Sequence, residues 1–310
     1  MINRYKSNGN VLEPIDQLVD GCWINVVDPT TEEIDELTQL GLPMDFITYP
    51  LDLDERARSQ REDDGKMLIL IRIPYFQGPK VDVPYITIPL GILMTDRYIL
   101  TICSKQTELM SELVAGKVRG LSTGKRIRFV LHVLLNNANK FLLFLREINH
   151  STDQIEDRLQ QYLQNKDVMD LLKVQKSLVY FTTALKQNEL LLERLQRTQL
   201  FHMFPDDEDL LEDVITENQQ AIEMVNISST ILNSMMDSFA SIISNNLNVV
   251  MKILAAVTIL LNLPALVTGF YGMNIDLPLM DRPFAWVYIL LTCSALVVFT
   301  TALFVRRKWF

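Results

Sequence analysis

The sequence predicts an α+β membrane protein in which an N-terminal α/β domain is followed by a long antiparallel helix pair, a very long stalk helix, and two membrane spans joined by a short loop. Three observations carry this reading. Two membrane-length apolar stretches, about Val249 to Phe270 and Ala285 to Val305, stand near the C-terminal end, and each has the roughly 20 residues that cross a hydrocarbon core. Residues 1–120 mix short β-type apolar runs with turn residues, whereas from about Lys125 the apolar spacing becomes helical. Charged residues make up 22% of the 310-residue chain and are nearly absent from both stretches. The part before them is therefore expected to be water-soluble and large enough to bury its own core.

Within residues 1–120, Trp23 to Val27 reads as a short strand. Thr30 and Glu33 then have capping-box spacing ahead of Ile34, Leu37 and Leu40, with Gly41 as the stop. Met67 to Phe76, Tyr85 to Met94 and Tyr98 to Cys103 are divided by Gly78-Pro79, Pro84 and Thr95-Asp96, so at least four strands are expected. Residues 121–205 read as the helix pair. Leu134, Ala138, Phe141, Leu145, Ile148, Ile155 and Leu159 keep mostly three-and-four spacing, and the pattern restarts with Leu171, Val174, Leu178, Phe181, Leu185, Leu192 and Leu195. After a break at Phe201 to Pro205, a helical pattern without Gly or Pro runs from Asp206 into the first apolar stretch. That is far longer than an ordinary globular helix, so residues 206–248 are a stalk, 249–270 the first span, 271–284 an external loop, 285–305 the second span and 306–310 a basic tail.

Basic residues set the expected orientation. Arg306, Arg307 and Lys308 come after the second span and Lys252 marks the entrance of the first, whereas the loop has only Arg282 against Asp276 and Asp281. Positive-inside bias places both termini in the cytosol and the protein in the cell membrane as a two-span chain. The N-terminal residues are polar with no apolar stretch of a signal peptide. Cys22, Cys103 and Cys293 are far apart, without pairing or metal-ligand spacing, and read as buried thiols.

The chemistry lies on the stalk and the loop. One stalk face, Ile215, Ile222, Val225, Ser229, Leu232, Met236, Phe239, Ile243 and Val250, reads as a packing seam. A second row, Thr230, Ser234, Asp237, Ser241, Ser244, Asn248, Met251, Ala255, Thr258 and Asn262, is mostly small or polar and continues from water into the membrane. Such a stripe needs either water, as a pore lining, or close helix packing. Asp237 favours the pore, because carboxylates from several subunits would concentrate cations there. Two spans cannot enclose a channel, so a pore requires a ring of subunits.

Between Arg197 and Lys252 there is no Lys or Arg, while Asp206, Asp207, Glu208, Asp209, Glu212, Asp213, Glu217, Glu223 and Asp237 supply nine negative charges, equal to the chain's net charge of −9. Parallel stalks would repel unless cations bridged them, which makes this region a candidate sensor of divalent cation. The alternative is an ordinary solvated helix start, favoured by the helix dipole. Oxygen donors dominate and His132, His150 and His202 show no paired spacing, a set that suits Mg²⁺ better than zinc or copper. Mg²⁺ sheds water reluctantly, so the neutral amide of Asn274 could hold the hydrated ion without trapping it.

The chain resembles the CorA-type magnesium channels. The resemblance rests on Tyr271-Gly272-Met273-Asn274 between two C-terminal spans, on the tail Arg306-Arg307-Lys308-Trp309-Phe310, and on Ser244-Asn245 with Asn248, Met251-Lys252 and Leu254 after them. It implies a funnel-shaped homopentamer whose pore is lined by the first span. It also implies that Gly272, Met273 and Asn274 form the external selectivity loop, that Asn248, Met251, Leu254, Thr258 and Asn262 line the pore, and that Asp237 forms a cytosolic carboxylate ring. By the same resemblance Asp213 is an intersubunit Mg²⁺ ligand that shuts the channel when internal Mg²⁺ is high. The chain departs from the family pattern in the Ile-Asp-Leu-Pro turn after Asn274, in the place of Pro264 and in Asn262.

The expected function is passive, channel-type transport of Mg²⁺, with Co²⁺ or Ni²⁺ as further cargo, driven by membrane potential and closed by cytosolic Mg²⁺. The alternative is a Zn²⁺ transporter of the same superfamily coupled to protons. Expected partners are further copies of the chain, divalent metal ions and the bilayer, with no nucleic acid and no organic cofactor. An enzyme is not expected, since no nucleophile, base and orienting group recur at a recognisable spacing. The Gly120 to Arg126 run lacks the spacing and the hydroxyl of a phosphate-binding loop.

Overall fold

The computed structural model describes residues 1–9, 11–118, 120–161, 165–198, 201, 204–273, 278, 283–307 and 309. They form two compact units, Met1–Ser234 and Met235–Phe310. The first unit is built on one seven-stranded sheet in the order β2-β1-β3-β7-β6-β5-β4. Its strands are β1 (Ile2–Asn8), β2 (Val11–Pro14), β3 (Trp23–Val27), β4 (Arg58–Arg61), β5 (Met67–Phe76), β6 (Tyr85–Met94) and β7 (Ile99–Cys103). Pairing is antiparallel except between β3 and β7, where Trp23 opposes Ile99 in parallel register.

The expected strands are all present, with Tyr98 left just outside β7. The additional β1, β2 and β4 lie towards the sheet edges and read INRYKSN, VLEP and RSQR. Polar, short edge strands resist further pairing, and for the same reason they carry no apolar run to find in the sequence. The central strands are buried on both faces. Met67, Ile69, Ile71 and Ile73 of β5 enter one core, and Leu68 and Leu70 enter the other.

Helix α1 (Thr31–Gln39) starts at the expected capping box: Thr30 Oγ1 accepts from the Glu33 amide at 3.3 Å, and Glu33 Oε2 accepts from the Thr30 amide at 2.9 Å. With α2 (Met44–Thr48) and a 3₁₀ turn (Tyr49–Leu51) it covers the second face of the sheet. At β6 the turn comes so close that a Cβ on Gly91 would collide with Pro50 Cγ. Only glycine lets that proline rest on bare strand.

The other face carries α3 (Glu108–Val114), α4 (Arg126–Gln161) and α5 (Asn165–Gln196). The two long helices are antiparallel: Arg158 bonds Asp167 at 2.9 Å near one end, and Phe141 meets Phe181 edge-on with ring centroids 5.0 Å apart further along. Strand β4 runs out at Arg58, opposite Leu70, so the β5 backbone beyond it needs another partner. Asn188 of α5 supplies one: its Oδ1 accepts from the Arg72 amide at 2.9 Å and its Nδ2 donates to the Arg72 carbonyl at 2.8 Å. The Arg72 side chain is buried and donates to the carbonyls of Leu53 (2.6 Å), Glu55 (2.9 Å) and Thr87 (2.5 Å). Burial lowers its pKa.

Helix α6 (Pro205–Tyr271) has 67 residues and α7 (Ala285–Arg306) has 22. The buried row of α6 is Asp207, Leu211, Val214, Asn218, Ala221, Val225, Ser228, Leu232, Met235 and Phe239, an unbroken alternation of four and three. This corrects the expected seam. Val225, Leu232 and Phe239 belong to it, but Ile215, Ile222, Ser229 and Met236 are half-buried neighbours, and Ile243 and Val250 are exposed. Asn218, Ala221 and Ser228 hold buried places that an apolar pattern passes over.

In the second unit α6 and α7 are long and apolar enough to cross a membrane, and their most apolar windows are 6% and 11% buried. Such surface calls for lipid or further protein. The C-terminal end of α7 is closed by Phe304 stacked on Trp309, centroids 5.0 Å apart. Gly91→Ala is expected to destabilise the first unit by about 1–3 kcal/mol through overpacking, read as a lowered Tm of the detergent-solubilised protein.

Candidate functional site

The acidic start of α6 is not a uniform charged run. Asp207 is buried, and its Oδ1 takes a 2.7 Å bond from Arg128 Nε on α4, while Asp206 lies 3.2 Å from Arg128 Nη2. Those bonds raise the Arg128 pKa, the one to Asp207 foremost. Two of the nine acids are thus engaged by a cation that sequence spacing could not reveal, because it stands on another helix. Asp209, Glu212, Asp213 and Glu223 are exposed or half-exposed on the solvent side of the seam, and Glu217 is half-buried. Asp213 comes two positions after the buried Leu211 and so lies off the packed row. Among the described residues no three His, Cys, Asp or Glu side chains come together to hold a metal.

Further along α6 the expected polar row is exposed throughout: Asp237, Ser241, Ser244, Asn248, Met251, Ala255, Thr258 and Asn262. Two of its hydroxyls share an arrangement. Ser241 donates to the Asp237 carbonyl at 3.0 Å and Thr258 to the Leu254 carbonyl at 2.8 Å. Each has spent its one proton on its own helix, so towards its surroundings it offers lone pairs. Met251 and Leu254 are 55% and 57% exposed and form an apolar level within the row.

The helix carries Pro264 within its last turns, and the Thr268 hydroxyl donates to the Pro264 carbonyl at 3.0 Å. Helix α6 stops at Tyr271, where Gly272 N donates to the Thr268 carbonyl at 2.9 Å and Met273 N to Phe270 at 3.3 Å. A Cβ on Gly272 would lie 3.4 Å from the Thr268 carbonyl oxygen, an ordinary van der Waals contact. The Tyr271 hydroxyl reaches the Pro278 carbonyl at 3.4 Å. Asn274, Asp276, Asp281 and Arg282 lie outside the described residues.

Comparison with known proteins bears on the whole chain. The sequence model described as "CorA-like Mg2+ transporter protein" matches residues 20–307. The chain is 26% identical over 313 aligned residues to the cobalt/magnesium transport protein CorA of Methanocaldococcus jannaschii, covering 97% of each. The complete structure of the CorA magnesium transporter from that organism superposes with a TM-score of 0.85 at 25% identity, covering 100% of this chain and 99% of that one. The full-length CmaX protein matches with a TM-score of 0.73 at 18% identity, covering 99% of this chain and 97% of that one, a likeness of fold alone.

Arg128→Met leaves the buried Asp207 carboxylate without its cation. It is expected to cost about 3 kcal/mol, measured as a fall in the Tm of the solubilised protein, whereas Arg97→Met, at an exposed pair with Asp20, is expected to leave the Tm nearly unchanged.

Proposed function

The chain belongs to the CorA-like Mg²⁺ transporter family, and on that premise we propose that it conducts Mg²⁺, and Co²⁺ or Ni²⁺ as further cargo, passively across the cell membrane as a homopentamer. The observation that carries the proposal is the exposed row of α6 from Asp237 to Asn262. Facing lipid it would be costly; facing a central path it becomes the lining. Both termini are cytosolic, and the loop after Tyr271 faces outside.

The ion passes with much of its water. Hydrating waters of Mg²⁺ turn their hydrogens outward, so the lining must present acceptors. Asn274 at the mouth, Asn262, Thr258 and Asn248 along the span, and the Asp237 carboxylates at the cytosolic end supply them, with Gly272 and Met273 shaping the outer loop. Met251 and Leu254 form an apolar constriction that blocks ions when it dewets. A divalent ion gains about 4.6 kcal/mol per 100 mV of inside-negative potential, twice the value for one charge. No further energy source is required.

Closure uses Asp213, an exposed acid of the stalk. Asp213 and a carboxylate of a neighbouring subunit hold Mg²⁺ between them, and loss of the ion lets like charges repel and the ring open. Because one chain gathers no three ligands among its described residues, such a site draws on two subunits.

In liposomes holding the purified protein, an inside-negative potential is expected to drive Mg²⁺ entry that is lost in Asn274→Ala. Zn²⁺ movement that occurs only under an imposed pH gradient, with no Mg²⁺ flux, would replace this reading with a proton-coupled Zn²⁺ transporter. Asp213→Ala is expected to keep conducting at an internal Mg²⁺ concentration that silences the parent. Inhibition unchanged in that variant removes Asp213 from the closing mechanism.

A further inference from the structure

The buried seams of the three long helices are each interrupted by one asparagine, and the three meet at one place. On α4, Asn137 stands between Leu134 and Ala138; on α5, Asn188 fills the gap between Leu185 and Leu192; on α6, Asn218 stands between Val214 and Ala221. They are 4%, 4% and 3% exposed. All three line one small cavity, whose other walls are apolar and include Ile71 of β5 and Leu191 of α5. The cavity measures about 10 Å³. That is about the space one water requires.

The polar groups around it do not balance. Asn188 is tied to the Arg72 backbone through both ends of its amide, one bond at Oδ1 and one at Nδ2. Asn137 Nδ2 donates to the Arg72 carbonyl at 3.1 Å, but Asn137 Oδ1 is buried and has no partner in the protein. Rotating that amide does not repair the deficit, since it would set Oδ1 against the Arg72 carbonyl oxygen. Asn218 Nδ2 makes only a long bond, 3.4 Å to the Leu185 carbonyl, and an amide nitrogen has a second hydrogen to give. An acceptor without a donor and a donor with a hydrogen to spare thus border a water-sized space.

We infer that this cavity holds one ordered water, which donates to Asn137 Oδ1 and accepts from Asn218 Nδ2, and that the hydrated asparagine layer fixes the register of α6 against α4 and α5. Leu, Val and Phe levels resemble one another, so an all-apolar seam tolerates slipping by a turn. A polar level does not: shifted away from its partners, it is stranded among aliphatic side chains. The inference stands on the first unit alone and is independent of the ion path.

A density map of the full-length protein fine enough to show ordered water decides the first part. One water within hydrogen-bond distance of Asn137 Oδ1 is expected, and an empty cavity overturns it. Register is read by joining paired cysteines with a short homobifunctional thiol reagent in a Cys293→Ser background, where the remaining cysteines, Cys22 and Cys103, are buried. Gln175 Nε2 on α5 lies 3.0 Å from Asn233 Oδ1 on α6, so Gln175→Cys is expected to be bridged to Asn233→Cys and not to Ser229→Cys, one turn away. Asn137→Leu with Asn218→Leu removes the polar level from both helices at once, and pairing is then expected to spread to position 229. Pairing that stays confined to position 233 in that variant refutes the register role. Asn218→Ser, which keeps a polar group at the level, is expected to restore the parent pattern, and the map needs no variant, so the water is decided even if the leucine protein does not fold.

Discussion

A helix that leaves water for hydrocarbon without a break satisfies its backbone in both solvents, and every conflict between the two falls on its side chains. Helix α6 is such an element. Its 67 residues contain one proline inside the helix, Pro264, which has no N–H for the Leu260 carbonyl, while the Thr268 hydroxyl donates to the Pro264 carbonyl itself. The strict four-and-three buried row ends at Phe239, and Ala256 is the one buried residue in α6 beyond it. From there to Tyr271 the helix is largely apolar, with one polar row that the chain alone leaves uncovered. In the ring of subunits proposed above, neighbouring copies of the chain cover that row.

The elements legible in the sequence are those whose environment is the same all round. Strands β3, β5 and β6 are buried on both faces and appear as continuous apolar runs with their observed bounds. The long helices and spans were legible for a related reason: three-and-four spacing over many turns, or unbroken apolarity, admits one reading. Strands β1, β2 and β4 were not, because each meets the sheet through backbone pairing and shows solvent most of its side chains. Backbone pairing leaves no residue pattern.

The site divides in the same way. The polar row of α6 was readable because its three-and-four period continues past Lys252 into a stretch that is otherwise apolar up to Asn262. The α6 seam was misplaced by one residue at four positions where neighbours are alike or small: Val214 and Met235 are buried beside the equally apolar Ile215 and Met236, and Ala221 and Ser228 beside Ile222 and Ser229. The acidic run was readable as charge but not as partners, since Arg128 approaches Asp206 and Asp207 from α4. Sequence spacing reports neighbours on one helix; a cation that arrives from another is a tertiary fact. That distinction separates the buried Asp207, which anchors the helix, from the exposed Asp213, which faces outward to whatever lies beside the chain.

The lining proposed for the ion path differs in kind from a resident metal site. A cage of carboxylates binds a divalent ion tightly and releases it slowly, whereas conduction requires attraction at several places and capture at none. Along the proposed lining the acid is confined to Asp237, and the positions deeper in the span are the amides of Asn248 and Asn262, the hydroxyl of Thr258, Met251 and Leu254. The hydroxyls have donated their protons within the helix, so they oppose a hydrated cation with lone pairs and no repelling hydrogen. Neutral acceptors of this kind hold the water shell more loosely than the charge at the cytosolic end holds the ion. The gradient of affinity therefore runs in the direction in which the membrane potential already pulls, and one helix supplies both the attraction and the means of release.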